Sequence, residues 1–352
     1  MRIRRSLPIV LGVLVVAGAV ALVVVLRKHA PPEPARLLPG ADGFVYLDLK
    51  WMRRINLLGE LPQVHHDPEY EQFIQATGFD AERDLEEAAV AIHYPVTVPG
   101  GPKSDGDVRF SGVFVGHFQG ERLNAYLKKT ANAVEDYRST EIYTIPLEDL
   151  TFRVAVLSVN SVAASNVADP QIIRGIIERS RKLASPFGGP ALLRQYYKEV
   201  PLASLAWGVL RVKPAADGAA VGPQSWSFLF SKPAVVVASL RYLGSVHLKA
   251  AAFAGSEDDA ARLTEKLSAF LDLYRTAQAT APPEGTDADV KALVSSLQVV
   301  RQKDRAVLTA IVPEGFVRKI LAESPTSVPV EMPQPAAPAA VQPAPTGRKK
   351  HR

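Results

Sequence analysis

The run from Pro8 to Leu26, PIVLGVLVVAGAVALVVVL, holds 19 residues without a charge. As a helix it reaches about 28 Å, close to the ~30 Å of a bilayer's hydrocarbon core. Arg2, Arg4 and Arg5 precede it, and Arg27, Lys28 and His29 follow it. A cleaved signal peptide normally has a shorter apolar region, about 7–15 residues, ending in small residues at the cut. Here the small-x-small triplets at Ala17–Ala19 and Ala19–Ala21 lie inside the run, and Leu22 to Leu26 carry it on to Arg27. The expectation is an uncleaved N-terminal anchor over 1–29, with a transmembrane helix at about 8–26 inserted in the lipid bilayer. The positive groups lean towards a cytoplasmic N-terminus, and so towards a single-pass protein of the cell (inner) membrane whose bulk is periplasmic. Ala17 and Ala21 form a small-xxx-small pair able to pack two such helices.

The anchor changes how the charge is read. The chain has 352 residues and a net charge of +5. Arg2, Arg4, Arg5, Arg27 and Lys28 flank the span; Arg348, Lys349, Lys350 and Arg352 sit at the far end, and neither segment contains an acid. These nine cations exceed the net charge, so the body between them is acidic. Specific nucleic-acid binding is therefore not expected, while the basic tail fits contact with an anionic surface. The absence of Cys excludes disulfide scaffolds, thiolate metal sites and cysteine nucleophiles.

Two proline-rich segments bracket the folded material. Residues 30–39 (APPEPARLLP) read as an extended spacer, and 325–352 as a disordered Pro/Ala-rich tail with a basic end. Between them, strand-like alternation and helix-like spacing take turns. From Val108 the reading is a strand to Gly116, a helix over Glu121 to Val134, strands over Glu141 to Ile145 and Phe152 to Ala163, a helix from Pro170 and a strand from Leu202 to Val212. That order, β-α-β-β-α-β, is the split βαβ, ferredoxin-like one, with helices packed on one face of an antiparallel sheet. Residues 40–213 thus read as a first α+β unit, 214–224 (rich in Ala, Gly and Pro) as a linker and 225–324 as a second unit. VRFSGVFVGHFQGERL at Val108 parallels VHLKAAAFAGSEDDAARL at Val246, so the order admits two ferredoxin-like units arising by duplication.

No constellation carries chemistry on its own. His65, His66, Asp67 and Glu69 are the densest group of metal-ligand types. Adjacent histidines on an extended segment point opposite ways, and Asp67-Pro68-Glu69 reads as a helix start, so a solvated loop is expected there. His93, His117 and His247 each stand alone on or beside a strand. Gly112, Gly116 and Gly120 fit neither phosphate-loop spacing, and Gly112 and Gly116, in or at the end of a strand, read as marking bulges or close packing. Glu82, Asp84, Glu86 and Glu87, and likewise Glu257, Asp258 and Asp259, read as partners of helix N-termini. Trp51 reads as a core residue. No catalytic, cofactor-binding or metal residue is assigned, and no cofactor.

The segments LLPGADGFVYLDL (Leu37 to Leu49), DPEYEQFIQATGFDAERDLEE (Asp67 to Glu87), GHFQGERLNAYL and EIYTI together resemble bacterial single-pass, membrane-anchored proteins with an exported α+β domain of unknown function. The resemblance implies no activity and transfers no functional residue. The expected function is a non-enzymatic extracytoplasmic binding or assembly domain with an envelope protein partner. Two alternatives remain: a hydrolase or metal-dependent enzyme with a dispersed site, for which His65, His66 and Asp67 are the available residues, and a carrier of an apolar ligand held between sheet and helices.

Overall fold

The computed structural model describes residues 30–57, 68–95, 108–147, 150–181, 188–212, 229–280 and 287–322. The expected span at 8–26, the 214–224 linker, the 325–352 tail and the His65–His66–Asp67 group lie outside them. No helix among the described residues is long and apolar enough to cross a membrane.

The chain is α+β, built on one large antiparallel sheet. The extended spacer expected over 30–39 is corrected: its apolar residues fold into helix α1 (Glu33–Leu37), which puts Ala35 and Leu37 in the core and leads into β1 (Gly43–Asp48) and α2 (Leu49–Arg54). Then come α3 (Pro68–Thr77), α4 (Ala81–Asp84), β2 (Leu85–His93), β3 (Arg109–Gly116) and α5 (Gly120–Thr130). A four-stranded meander follows: β4 (Ala133–Asp136), β5 (Glu141–Leu147), β6 (Leu150–Ser158) and β7 (Ser161–Ser165). Helices α6 (Pro170–Arg181) and α7 (Ala191–Tyr196) lead to β8 (Ser204–Val212), β9 (Ala234–Tyr242) and β10 (Val246–Phe253). The chain closes with α8 (Glu257–Thr280), α9 (Ala288–Ser296), β11 (Gln298–Gln302), β12 (Arg305–Val312) and α10 (Glu314–Ala322).

The strands run in the order β11-β12-β10-β9-β8-β1-β2-β3-β7-β6-β5-β4. Every pairing is antiparallel, and β8 pairs with both β1 and β9. The sheet is therefore continuous across the two sequence units. Its two ends repeat one plan. A three-stranded meander (β1-β2-β3, or β8-β9-β10) is followed by a crossover helix (α5, or α8), and the last returning strand (β7, or β12) pairs with the meander's third strand.

The ferredoxin-like expectation is corrected by this topology. A split βαβ sheet needs a parallel central pair, and none forms among the described strands. Two local misreadings produced it. The apolar spacing of α5 ends at Thr130, and Ala133 to Asp136 pair with β5 instead of extending the helix. The run from Phe152 to Ala163 is broken by a turn at Val159-Asn160, where the Ser158 hydroxyl meets Asn160 Oδ1 and Ser161 Oγ, both at 2.7 Å. Polar turn chemistry there outweighs the apolar run.

Helices also cover both faces of the sheet rather than one. Alternation puts Val113, Ile142, Ala155 and Ala163 on the back face, under Ile173, Ile176 and Ile177 of α6 and Leu192 and Leu193 of α7. On the front face Tyr143, Val154 and Val162 meet Leu123 and Leu127 of α5. The front face of the other end packs Leu263 and Leu267 of α8 against Val212, Val236, Ala252 and Ala306. Strands apolar on both faces need a layer on each side, which the one-face expectation overlooked.

Candidate functional site

The most apolar concavity lies on the front face, between α3, α5 and strands β3, β5, β6 and β7. It has a volume of about 400 Å³, within the ~300–1,000 Å³ of small-molecule sites. Its floor is Phe114, Ile145, Phe152, Val154 and Val162, and its roof is Phe73, Leu123, Tyr126 and Leu127. The surface it presents is carbon throughout, and no charged side chain lines it. Leu147, half exposed, marks its mouth at the β5–β6 end.

The sequence builds this chamber locally. Tyr70, Phe73, Ile74 and Thr77 recur at helical spacing on α3. The helix stops at Gly78, whose φ of +72° suits glycine. Past that turn, Asp80 caps α4 by accepting from the Glu82 amide, and the Tyr70 hydroxyl accepts from the Ala81 amide at 3.0 Å. Phe79 stacks on Phe118 with ring centres 4.5 Å apart, and Phe73 meets the edge of Tyr126 at 5.4 Å. Such ring pairs add about 0.5–1.5 kcal/mol each beyond buried area.

Helix α3 rests on α5 rather than on the sheet. Arg122 of α5 holds it there: Nε donates to the Ala76 carbonyl at 3.1 Å, Nη2 to the Gln75 carbonyl, and Nη1 to Gln119 Oε1 at 3.1 Å. A guanidinium on the last carbonyls of a helix satisfies orphan acceptors and complements the helix dipole. Outside this contact a polar cleft between α3 and α5 is lined by Glu69, Gln72, Arg122, Tyr126, Lys129 and Thr130, among others. Tyr126 lines both the cleft and the chamber.

The residues singled out from the sequence are scattered by the fold. His93 gains partners: its Nε2 lies 2.9 Å from Ser111 Oγ, which lies 3.1 Å from Ser165 Oγ. Burial holds its imidazole below the usual histidine value, with Asp42 opposing. This resembles a nucleophile–base pair, but Ser111 is fully buried and lines none of the cavities described. The Ser165 hydroxyl in turn donates to the Phe110 carbonyl at 3.2 Å, so the group ties β2, β3 and β7 together. A nucleophile must be reachable by its substrate; the arrangement is structural.

His117 and Lys50 both face Glu86, at 4.0 and 2.7 Å, on the surface. His247 meets Ser245 Oγ at 3.1 Å. Among the described residues no three His, Cys, Asp or Glu side chains gather as metal ligands. A Cβ on Gly116 would stand 2.5 Å from the Asp84 carbonyl oxygen, and one on Gly112 would meet the Phe114 ring, which makes both packing glycines. Asp259 is a helix-start residue that accepts from the Ser256 hydroxyl and pairs with Arg262 and Lys232. Trp51 departs from its core expectation: it is 40% exposed, with the Arg54 guanidinium over its ring.

The chamber residues were missed from the sequence because they come from eight separate elements and two connecting segments. The available signal was the density of Phe and Tyr between Tyr70 and Phe118 on both helix and strand phases.

No family model and no curated protein matches the chain. Among solved structures it is similar to crystal form III of TP0453, at 8% identity and TM-score 0.43, covering 84% of this chain and 99% of that one. Crystal form IV of TP0453 gives 10% identity and TM-score 0.42, with 83% and 97% covered.

Proposed function

We propose that this is a non-enzymatic binding domain, tethered to the cell membrane by the span at 8–26 and exported, whose ligand site is the apolar chamber beneath α3 and α5. The chamber is the observation that carries the reading. A wholly apolar lining offers no group for acid–base, nucleophilic or metal chemistry, and it favours burial of hydrocarbon by about 0.8 kcal/mol per methylene. At the other end α8 sets Leu263 and Leu267 on Val212, Val236, Ala252 and Ala306, and the cavity between its first turns and residues 229–234 is only about 20 Å³. The plan of the fold does not require an open space under its crossover helix.

Two measurements test the reading. A reporter fused after Ser324 should be active only in an extracytoplasmic compartment; cytoplasmic activity overturns the export. Native mass spectrometry of the full chain, freed of detergent, should show one equivalent of dodecanol bound. Filling the chamber by Leu123→Trp, or by the smaller change Val162→Phe, should abolish the adduct. Retention of dodecanol by both folded variants would place the ligand elsewhere.

A further inference from the structure

Resting on the chamber reading, we infer that the ligand is a single-chain anionic amphiphile, its hydrocarbon in the chamber and its charged end in the α3–α5 cleft at Lys129. Tyr126 is a wall common to the cleft and the chamber, its ring edge-on to Phe73 of α3. The cleft lining carries two cations, Arg122 and Lys129, against one acid, Glu69. These cations are not equivalent. Arg122 is engaged by the α3 carbonyls and Gln119. Lys128, next along α5, is held by Glu141 at 3.0 Å. Lys129 has no ion-pair partner among the described residues, so its ammonium keeps its full donor capacity beside Tyr126 and Thr130.

A neutral apolar ligand would leave that cation without a counter-charge, and a second negative charge would meet Glu69 in the same lining. A monoanion at the end of one chain matches both compartments: the hydrocarbon stays out of water while the head remains solvated, as amphipathic groups generally arrange themselves. The chamber's aromatic walls accept a flexible chain without demanding a fixed shape.

Native mass spectrometry of the full chain with dodecanoate and with dodecanol tests the assignment. Dodecanoate should bind roughly tenfold more tightly than dodecanol, the worth of one charge-assisted contact. Lys129→Glu is exposed, leaves α5 intact and should bring the two to near parity, whereas Lys129→Arg should retain the preference. Equal binding of both probes by the unsubstituted chain, or an unchanged preference in Lys129→Glu, overturns the anionic head while leaving the chamber reading in place. Binding of neither probe overturns both.

Discussion

Glu87 is a sheet acid whose ionisation is opposed by burial. It sits on β2, half-buried, accepting the Tyr46 hydroxyl at 2.8 Å. Burial pushes its carboxyl above the ordinary value, ahead of the opposing bond from Tyr46 and the repulsion of Asp48 and Glu86. The folded chain then holds the proton more tightly than the unfolded chain, so stability falls as pH rises from the ordinary carboxylate range through the raised value. Glu87→Gln keeps an acceptor for Tyr46 and removes the ionisation. Its melting temperature should exceed that of the unsubstituted chain at pH 8 and match it at pH 4, the gain staying under about 1 kcal/mol because water screens a half-exposed group. Equal melting temperatures at pH 8 would contradict the burial argument. His93 bears the opposite sign, since acid must charge a partly buried imidazole, so the difference between the two chains isolates Glu87. None of this was legible in the sequence. There Glu87 belongs to an acidic run read as a helix start, whereas the structure puts it on a strand opposite Asp48.

At the scale of elements, α3 is tied to the chamber through α5. Its ring contacts come from Tyr70 and Phe73, and its C-terminal carbonyls depend on Arg122, 46 and 47 residues away in sequence. Arg122→Met keeps the aliphatic stem and removes the donors. Amide hydrogen exchange over residues 68–77 should rise several-fold while the back-face helix α6 stays protected, with a loss of about 1–2 kcal/mol of stability. Uniform exchange across both helices would mean that Arg122 acts on the whole fold rather than on α3. Part of the element pattern was readable: α3 begins at Pro68, within the Asp67-Pro68-Glu69 start read from the sequence, and ends before Gly78. What failed were competitions that local pattern cannot decide. Val134 continues the α5 spacing but pairs with Tyr143 of β5, and Asp287 caps α9, which no apolar stripe announced.

At the scale of the molecule, the chain repeats one plan on either side of the β1–β8 pair. The sequence hinted at this through the parallel between the β3–α5 and β10–α8 segments, and the structure extends the likeness to strand order. The repeat is unequal. The first end returns through four strands and leaves a chamber, whereas the second returns through two and packs α8 against the sheet. The sheet ends are guarded against pairing with other chains. At one end β4 covers only Glu141 to Thr144 of β5, and Pro146, which cannot donate, occupies the stretch beyond. The proposed ligand site, between α3, α5 and the sheet, belongs to the end that returns through four strands.

That space can be probed with a diazirine-bearing alkyl chain added to the full chain, photolysed and mapped by peptide mass spectrometry. Adducts are expected on Phe73, Phe118, Tyr126 and Phe152, competed by dodecanol, with none on Leu263 or Leu267 beneath α8. Adducts confined to the 8–26 span, or spread over exposed residues without competition, would contradict the chamber as the ligand site.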